Sequence, residues 1–147
     1  MRITQEADYG IRICCILDEA GGLLDASTIA DRACISQPIA LKTLRRLHAV
    51  GIIDSHKGAR GGYKLCRDPE DLTVADIIRA VDGEIMISKC LDSCHECTRN
   101  PEKSKCKMHL AFGAVNKILA DKLSSITVRA LTDGKTDASE IISKIQS

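Results

Sequence analysis

Aromatic residues are nearly missing: the chain has Tyr9, Tyr63 and Phe112, and no tryptophan. Modules that stack unpaired bases need aromatic platforms, so base-stacking RNA binders are disfavoured. The core has to be aliphatic. No run of ~18 or more apolar residues exists, which excludes a membrane-spanning helix. The opening, Met1 to Glu6, lacks the apolar centre of a signal peptide, so a cytoplasmic protein is expected. Internal repeats and low-complexity segments are lacking. No serine–histidine–acid or phosphate-cradling motif stands out, so enzymatic catalysis is not expected. With 147 residues the chain is long enough for about one domain with a real core.

A strong overall charge is lacking too, the net value being +1. Its distribution is uneven. Between Ser36 and Arg67 stand Lys42, Arg45, Arg46, Lys57, Arg60, Lys64 and Arg67 against a single acidic residue, Asp54. That segment is therefore +6 and the remainder −5. Such segregation marks a solvated basic surface or a face that binds a polyanion.

What the chain does have is cysteine, eight in all. Four are scattered. Cys14, Cys15, Cys34 and Cys66 lie in or beside apolar stretches and read as small buried hydrophobes. The other four, Cys90, Cys94, Cys97 and Cys106, gather in one polar segment.

Apolar periodicity gives the order of elements. Ile3, Ala7, Ile11, Cys14 and Leu17 recur at helical spacing over 4–20, and Gly21-Gly22 ends that helix. Asp25 suits the cap of a helix over 26–33. Ser36 suits the cap of a third helix, with Pro38 in its first turn and Ala40, Leu44 and Leu47 facing inward. Gly51 fits its exit. Residues 52–55 and 63–66 read as strands around a glycine-rich basic tip, a hairpin. Thr73 caps a helix closed by Gly83. Residues 88–107 form a loop. A helix over 108–123 carries Phe112, Val115, Leu119 and Leu123 in a narrow seam suited to helix packing, within the chain or across a dimer. Short helices at 128–131 and 137–145 finish the chain.

Two short helices joined by a tight turn and followed by a basic hairpin have the order of a winged helix-turn-helix. The third helix would enter the major groove, where Ser36, Gln37, Lys42 and Thr43 supply donors and acceptors for base edges. Arg45 and Arg46 would reach phosphates or guanine edges. Lys57 and Arg60 at the hairpin tip would lie along the minor groove or its phosphates. Winged helices also serve as protein-interaction modules, and a charged α+β fold with no nucleic-acid partner is the plainer alternative.

The cysteine loop has the spacing C-x3-C-x2-C-x8-C-x2-H, ending at Cys106 and His109. Thiolates in this density select zinc or an iron–sulfur cluster, and the spacing does not separate the two. Lys89, Arg99, Lys103, Lys105 and Lys107 favour the ligating thiolate form. A thioredoxin-like dithiol at Cys94 and Cys97 would need a βαβ setting that is missing. Disulfides suit the expected compartment least.

The chain resembles the iron–sulfur transcriptional regulators that include IscR and NsrR. The similarity runs from Met1 to about residue 131. Met1-Arg2-Ile3-Thr4 with Asp8-Tyr9 looks like the family's opening helix, and Ile29-Ala30 through Ile35-Ser36 like its helix-turn-helix entry. Leu44 to Leu47 with Gly51-Ile52-Ile53 matches the recognition helix and its exit. Gly58-Ala59-Arg60-Gly61-Gly62-Tyr63-Lys64-Leu65 is similar to the wing and is the most specific stretch. Thr73 to Ile78 with Val81-Asp82-Gly83 resembles the helix before the cluster loop.

The resemblance implies a mostly α fold with a small β-hairpin wing, divided into a DNA-binding domain at 1–83, a cluster loop at 84–107 and a dimerisation region at 108–147. It implies a homodimer on a double-stranded DNA operator, regulated by a [2Fe–2S] or [4Fe–4S] cluster that senses iron–sulfur supply, redox state, oxygen or nitric oxide. Cys90, Cys97 and Cys106 are the ligands it indicates. The loop is a few residues longer than the family pattern, and Cys94 is an additional thiol that leaves the middle ligand open. The fourth ligand is Cys94, His109, or an acidic residue of the partner's first helix, here Asp8. Two readings compete with the sensor: a zinc-stapled interaction module and a redox or electron-transfer module.

Overall fold

A computed structural model describes residues 3–147; the Met1-Arg2 part of the family-like opening lies outside them. As the sequence pattern predicts, the fold is mostly helical with one two-stranded antiparallel hairpin among the described residues. No described helix is long and apolar enough to cross a membrane.

Helix α1 (Gln5–Ala20) starts where the Thr4 hydroxyl accepts the Ala7 amide, and it buries Ala7, Ile13, Cys14, Ile16 and Leu17. Ile3, expected on that stripe, precedes the helix and is exposed. Helix α2 (Ala26–Ala33) is capped by the Asp25 carboxylate on the Thr28 amide. Cys34 then takes the left-handed conformation, φ 56°, and turns the chain into α3 (Gln37–Ala49). Ser36 precedes α3 with extended backbone but makes no side-chain capping bond. The inner face of α3 is Ala40, Thr43, Leu44 and Leu47, the i, i+3, i+4, i+7 stripe of a helix packed on a core.

The hairpin comprises β1 (Ile53–His56) and β2 (Gly62–Leu65), with Ile53 opposite Leu65 and His56 opposite Gly62. Both strands are displaced by one residue from the sequence expectation. The Ile52 amide donates to the Leu47 carbonyl at the exit of α3, while its own carbonyl still accepts the Cys66 amide at 2.9 Å, so the regular strands begin one residue further toward the tip. The wing is rooted on the α1–α2 connection by a reciprocal pair: Leu24 N–H to Tyr63 O, 3.0 Å, and Tyr63 N–H to Leu24 O, 2.8 Å. Glycine is required there. A Cβ on Gly62 would lie 2.5 Å from the Leu24 carbonyl oxygen, and one on Gly61 2.2 Å from that of His56.

Helix α4 (Val74–Asp82) opens with a full capping box between Thr73 and Asp76. It packs Ile77 and Val81 into an aliphatic core with Ile13, Leu17, Ile29, Leu44, Leu47, Leu72 and Val128. Burying each such side chain stabilises by about 1.5–3 kcal/mol. Cys14 belongs to this core and Cys15 lies at its margin. Cys34 and Cys66, expected to be buried, are exposed because each sits on a turn or strand exit rather than on an inward stripe.

Helix α5 (Lys107–Ser124) buries none of its residues; Phe112 and Val115 of the predicted seam are exposed, while Leu119 and Leu123 are half-buried. Helix α6 (Val128–Thr132) returns to the core. Val128 donates to Leu72 O and Val74 to Ile126 O, each at 2.8 Å. The Asp18 carboxylate, 4% exposed, meets Arg129 at 3.0 Å and accepts from the Thr132 hydroxyl. Helix α7 (Ala138–Gln146) ends the chain.

Candidate nucleic-acid interface and cysteine loop

Helix α3 has two polar margins. On the outer one Ser36, Gln37 and Arg45 are exposed, and the wing tip presents Lys57 and Arg60 to solvent. These five suggested DNA contacts have the access such a role needs. Thr43 does not: it is 2% exposed and its hydroxyl donates to the Ile39 carbonyl at 3.0 Å. It sits on the core stripe beside Leu44, a position that the same helical spacing would have flagged.

The other margin of α3 faces α1. Lys42 Nζ pairs with Glu6 Oε1, while Arg46 Nη1 donates to Glu6 Oε2 at 3.1 Å and to the Val81 carbonyl at 2.7 Å. Lys42 by hydrogen bond and charge, with Arg46 adding to it, holds the Glu6 carboxyl below the usual carboxylate range. Two functional candidates escaped sequence reasoning. Glu6 lies far from its partners in the chain and leaves no local signal. His48, exposed one turn beyond Arg45 on the same face, could have been found from helical spacing. Its Nε2 is 3.4 Å from Ser55 Oγ at the base of the wing.

The cysteine loop is stiffened by local bonds. Lys103 Nζ donates to the Asp92 carbonyl at 2.7 Å, and the Cys94 amide donates to Asp92 Oδ1 at 2.8 Å. Cys90 lies in a short turn at Lys89–Leu91, where the Ser88 hydroxyl meets its Sγ at 3.3 Å. Cys97 is different. Amides of Asn100 and Arg99 point at its sulfur and, with the charges of Lys103 and Arg99, hold the thiol below its ordinary range. Burial does the opposite to the core thiols: Cys14 is pushed up strongly and Cys15 to about 11. Those two are inert packing atoms, whereas Cys97 is disposed to ionise.

Cys97 and Cys106 line one open cleft of about 330 Å³, with Arg99, Asn100, Lys105, Lys107 and Met108 around them. Cys90 and Cys94 do not line it. Among the described residues no three histidine, cysteine or acidic side chains converge as a metal site. Of the four loop thiols, two thus border one cleft. His109, one turn into α5, has a buried Nδ1 with no hydrogen-bond partner. Asp8 is engaged by Arg12 at 2.7 Å on its own helix. The donor chemistry fits a thiophilic group: soft thiols, one biased toward thiolate, cationic walls and an orphaned imidazole nitrogen.

The loop joins two anchored ends. Asn116 on α5 accepts the Ile87 amide at 2.9 Å and donates to the Ile85 carbonyl at 2.8 Å. At the other end the Cys106 carbonyl accepts the Leu110 amide and starts α5.

A family model described as Rrf2, an iron-dependent transcriptional regulator, matches residues 3–134. The chain is 28% identical over 146 residues to the HTH-type transcriptional regulator NsrR of Bacillus subtilis, covering 97% of each protein. Its fold is similar to that of T. potens IscR, with TM-score 0.68 and 25% identity, over 92% of this chain and 89% of that one. It is likewise similar to CymR (YrzC), the global cysteine regulator of B. subtilis, with TM-score 0.70 and 25% identity, over 90% and 96% of the two chains.

Proposed function

The chain belongs to the Rrf2 family of transcriptional regulators, and on that premise we propose a homodimeric DNA-binding regulator whose operator affinity is set by an iron–sulfur cluster on the cysteine loop. The observation that carries the sensor part is the cleft shared by Cys97 and Cys106, with cations around it and amides stabilising the Cys97 thiolate. Cys90 or Cys94 would join them by rearrangement of the short turns of the loop, with His109 or the partner's Asp8 completing the set. When bound, the cluster would supply a redox-sensitive link among these thiolates. One structural neighbour is described as a global cysteine regulator, so family membership alone leaves the signal open; the four loop thiols favour a metal-based one here.

For DNA, the base-reading set is Ser36, Gln37 and Arg45, with Lys42 at its margin and Lys57 and Arg60 on flanking phosphates. Thr43 leaves the set because it faces the core, and Arg46 because the Val81 carbonyl and Glu6 hold it as a strut. Dimer formation is supported by α5, which leaves Met108, Phe112, Val115 and Ile118 exposed along its length. The chain's own coupling route runs from Cys106 into α5, through Asn116 to residues 85–87, then along α4 to the Val81 carbonyl and Arg46.

Anaerobic purification followed by visible absorption, iron, sulfide and zinc analysis tests the cofactor. Iron and sulfide in a coloured protein would support the sensor. A colourless chain with one zinc would replace it by a zinc-stapled interaction module. Anisotropy titrations on duplex DNA at several salt concentrations test the rest. Iron and sulfide without any salt-dependent DNA affinity would favour a redox or electron-transfer module.

A further inference from the structure

We propose that Glu6 is a specificity-determining residue of the DNA-reading head, holding Lys42 against α1 so that this cation reaches a phosphate only by leaving the carboxylate. The inference rests on the DNA-binding reading above. Glu6 is shared by two cations of α3, but the two are not equivalent. Arg46 has a second, part-buried partner in the Val81 carbonyl at 2.7 Å, which fixes it whatever Glu6 does. Lys42 has Glu6 as its hydrogen-bond partner, and its side chain is 57% exposed on the margin of the helix beside Arg45. Glu6 itself is 43% exposed, so the pair sits in water and can exchange.

Non-specific binding to DNA is almost wholly phosphate neutralisation with release of counterions. A lysine paired with a carboxylate neutralises no phosphate. Glu6 therefore subtracts one cation from non-specific binding. On a specific site the contacts of Gln37 and Arg45 with base edges seat the helix, and the exchange of one carboxylate for one phosphate follows from that seating. An exposed ion pair restrains the lysine by up to about five-fold in equilibrium terms. The carboxylate acts as an internal phosphate mimic that lowers background binding more than operator binding.

The test is Glu6→Gln in the full-length protein, with and without Lys42→Met. Anisotropy is measured across a salt series on a random-sequence duplex and on a duplex selected from a random pool. On the random duplex Glu6→Gln should tighten binding by up to about five-fold and steepen the salt slope by about 0.9, whereas on the selected duplex it should gain less and keep nearly the wild-type slope. In the Lys42→Met background the added slope should vanish, because the slope counts cations seated on phosphates. An unchanged slope on the random duplex in Glu6→Gln would overturn the proposal. So would an added slope that survives Lys42→Met, since that would be a general effect of charge. Circular dichroism melts establish that each variant folds; approaching the pair from Lys42 provides the second route if Glu6→Gln does not. A wild-type chain with no salt-dependent binding to either duplex would sink the DNA-binding reading itself.

Discussion

Gly62→Ala should loosen the wing while leaving the helical core folded. The added Cβ would lie 2.5 Å from the Leu24 carbonyl oxygen, 2.7 Å from its carbonyl carbon and 3.2 Å from the Asp25 amide nitrogen. All three are backbone atoms, so no side chain can swing away. The φ of +157° adds a conformation that residues with a Cβ rarely adopt. Relief requires β2 to move off the α1–α2 connection, which breaks the reciprocal Leu24–Tyr63 bonds. Two backbone bonds at about 1 kcal/mol each, plus about 1–2 kcal/mol of residual strain, give a loss of about 3–4 kcal/mol. For a chain of this size that is a fall in Tm of roughly 6–16 °C if the wing melts with the core. Amide exchange separates the outcomes. The Leu24 and Tyr63 amides should lose protection, while those of Leu44 and Leu47 keep theirs. DNA affinity should fall with the wing. Unchanged protection at Leu24 and Tyr63, together with an unchanged melt, would refute the steric reasoning.

Asp18→Ala removes a nearly buried carboxylate from Arg129 and Thr132 and should cost about 1–3 kcal/mol, read as a lower Tm; a melt within about 0.5 kcal/mol of wild type would show that α6 is held without the Asp18 contacts. Burial raises the Asp76 carboxyl, but the Thr73 amide and hydroxyl and the Arg67 guanidinium outweigh it, so the folded value lies below the unfolded one. The stability it contributes is therefore present above about pH 4 and lost as pH falls through the folded value, and Asp76→Asn should flatten that part of an acid titration followed by circular dichroism. On the proposed sensor reading, Cys106→Ala should abolish retention of an iron–sulfur chromophore; a variant with full absorbance would rule Cys106 out as a ligand.

Local chemistry made most of the fold legible in advance. Asp25 and Thr73 cap the helices they are expected to cap, because a cap is written within a few residues; Thr4, read as the first residue of its helix, is in fact the cap. Both strands lie one residue nearer the tip than expected because the Ile52 amide at the root is taken by the Leu47 carbonyl, a bond that depends on how α3 ends. Cys34 and Cys66 are exposed despite apolar neighbours, which say little about a residue placed on a turn or strand exit. The site was less legible. Exposure of Arg45, Lys57 and Arg60 follows from segregated charge, whereas the partnership of Glu6 with Lys42 and Arg46 arises only when α1 crosses α3. Loop spacing identifies thiols as a set but does not encode which of them share a cleft, since that depends on polar turns around Asp92 and Asn100.

The Asn116 clamp has a consequence for chain entropy. By holding Ile85 and Ile87 on Asn116 of α5, it closes the chain between Ile87 and Asn116, which carries all four loop cysteines, into one loop before any ligand arrives. Gathering thiols from an open chain would cost closure entropy that grows with the logarithm of its length. Here that closure is a property of the folded protein. A side chain that touches no thiol would thus help set how tightly the thiols keep a bound group.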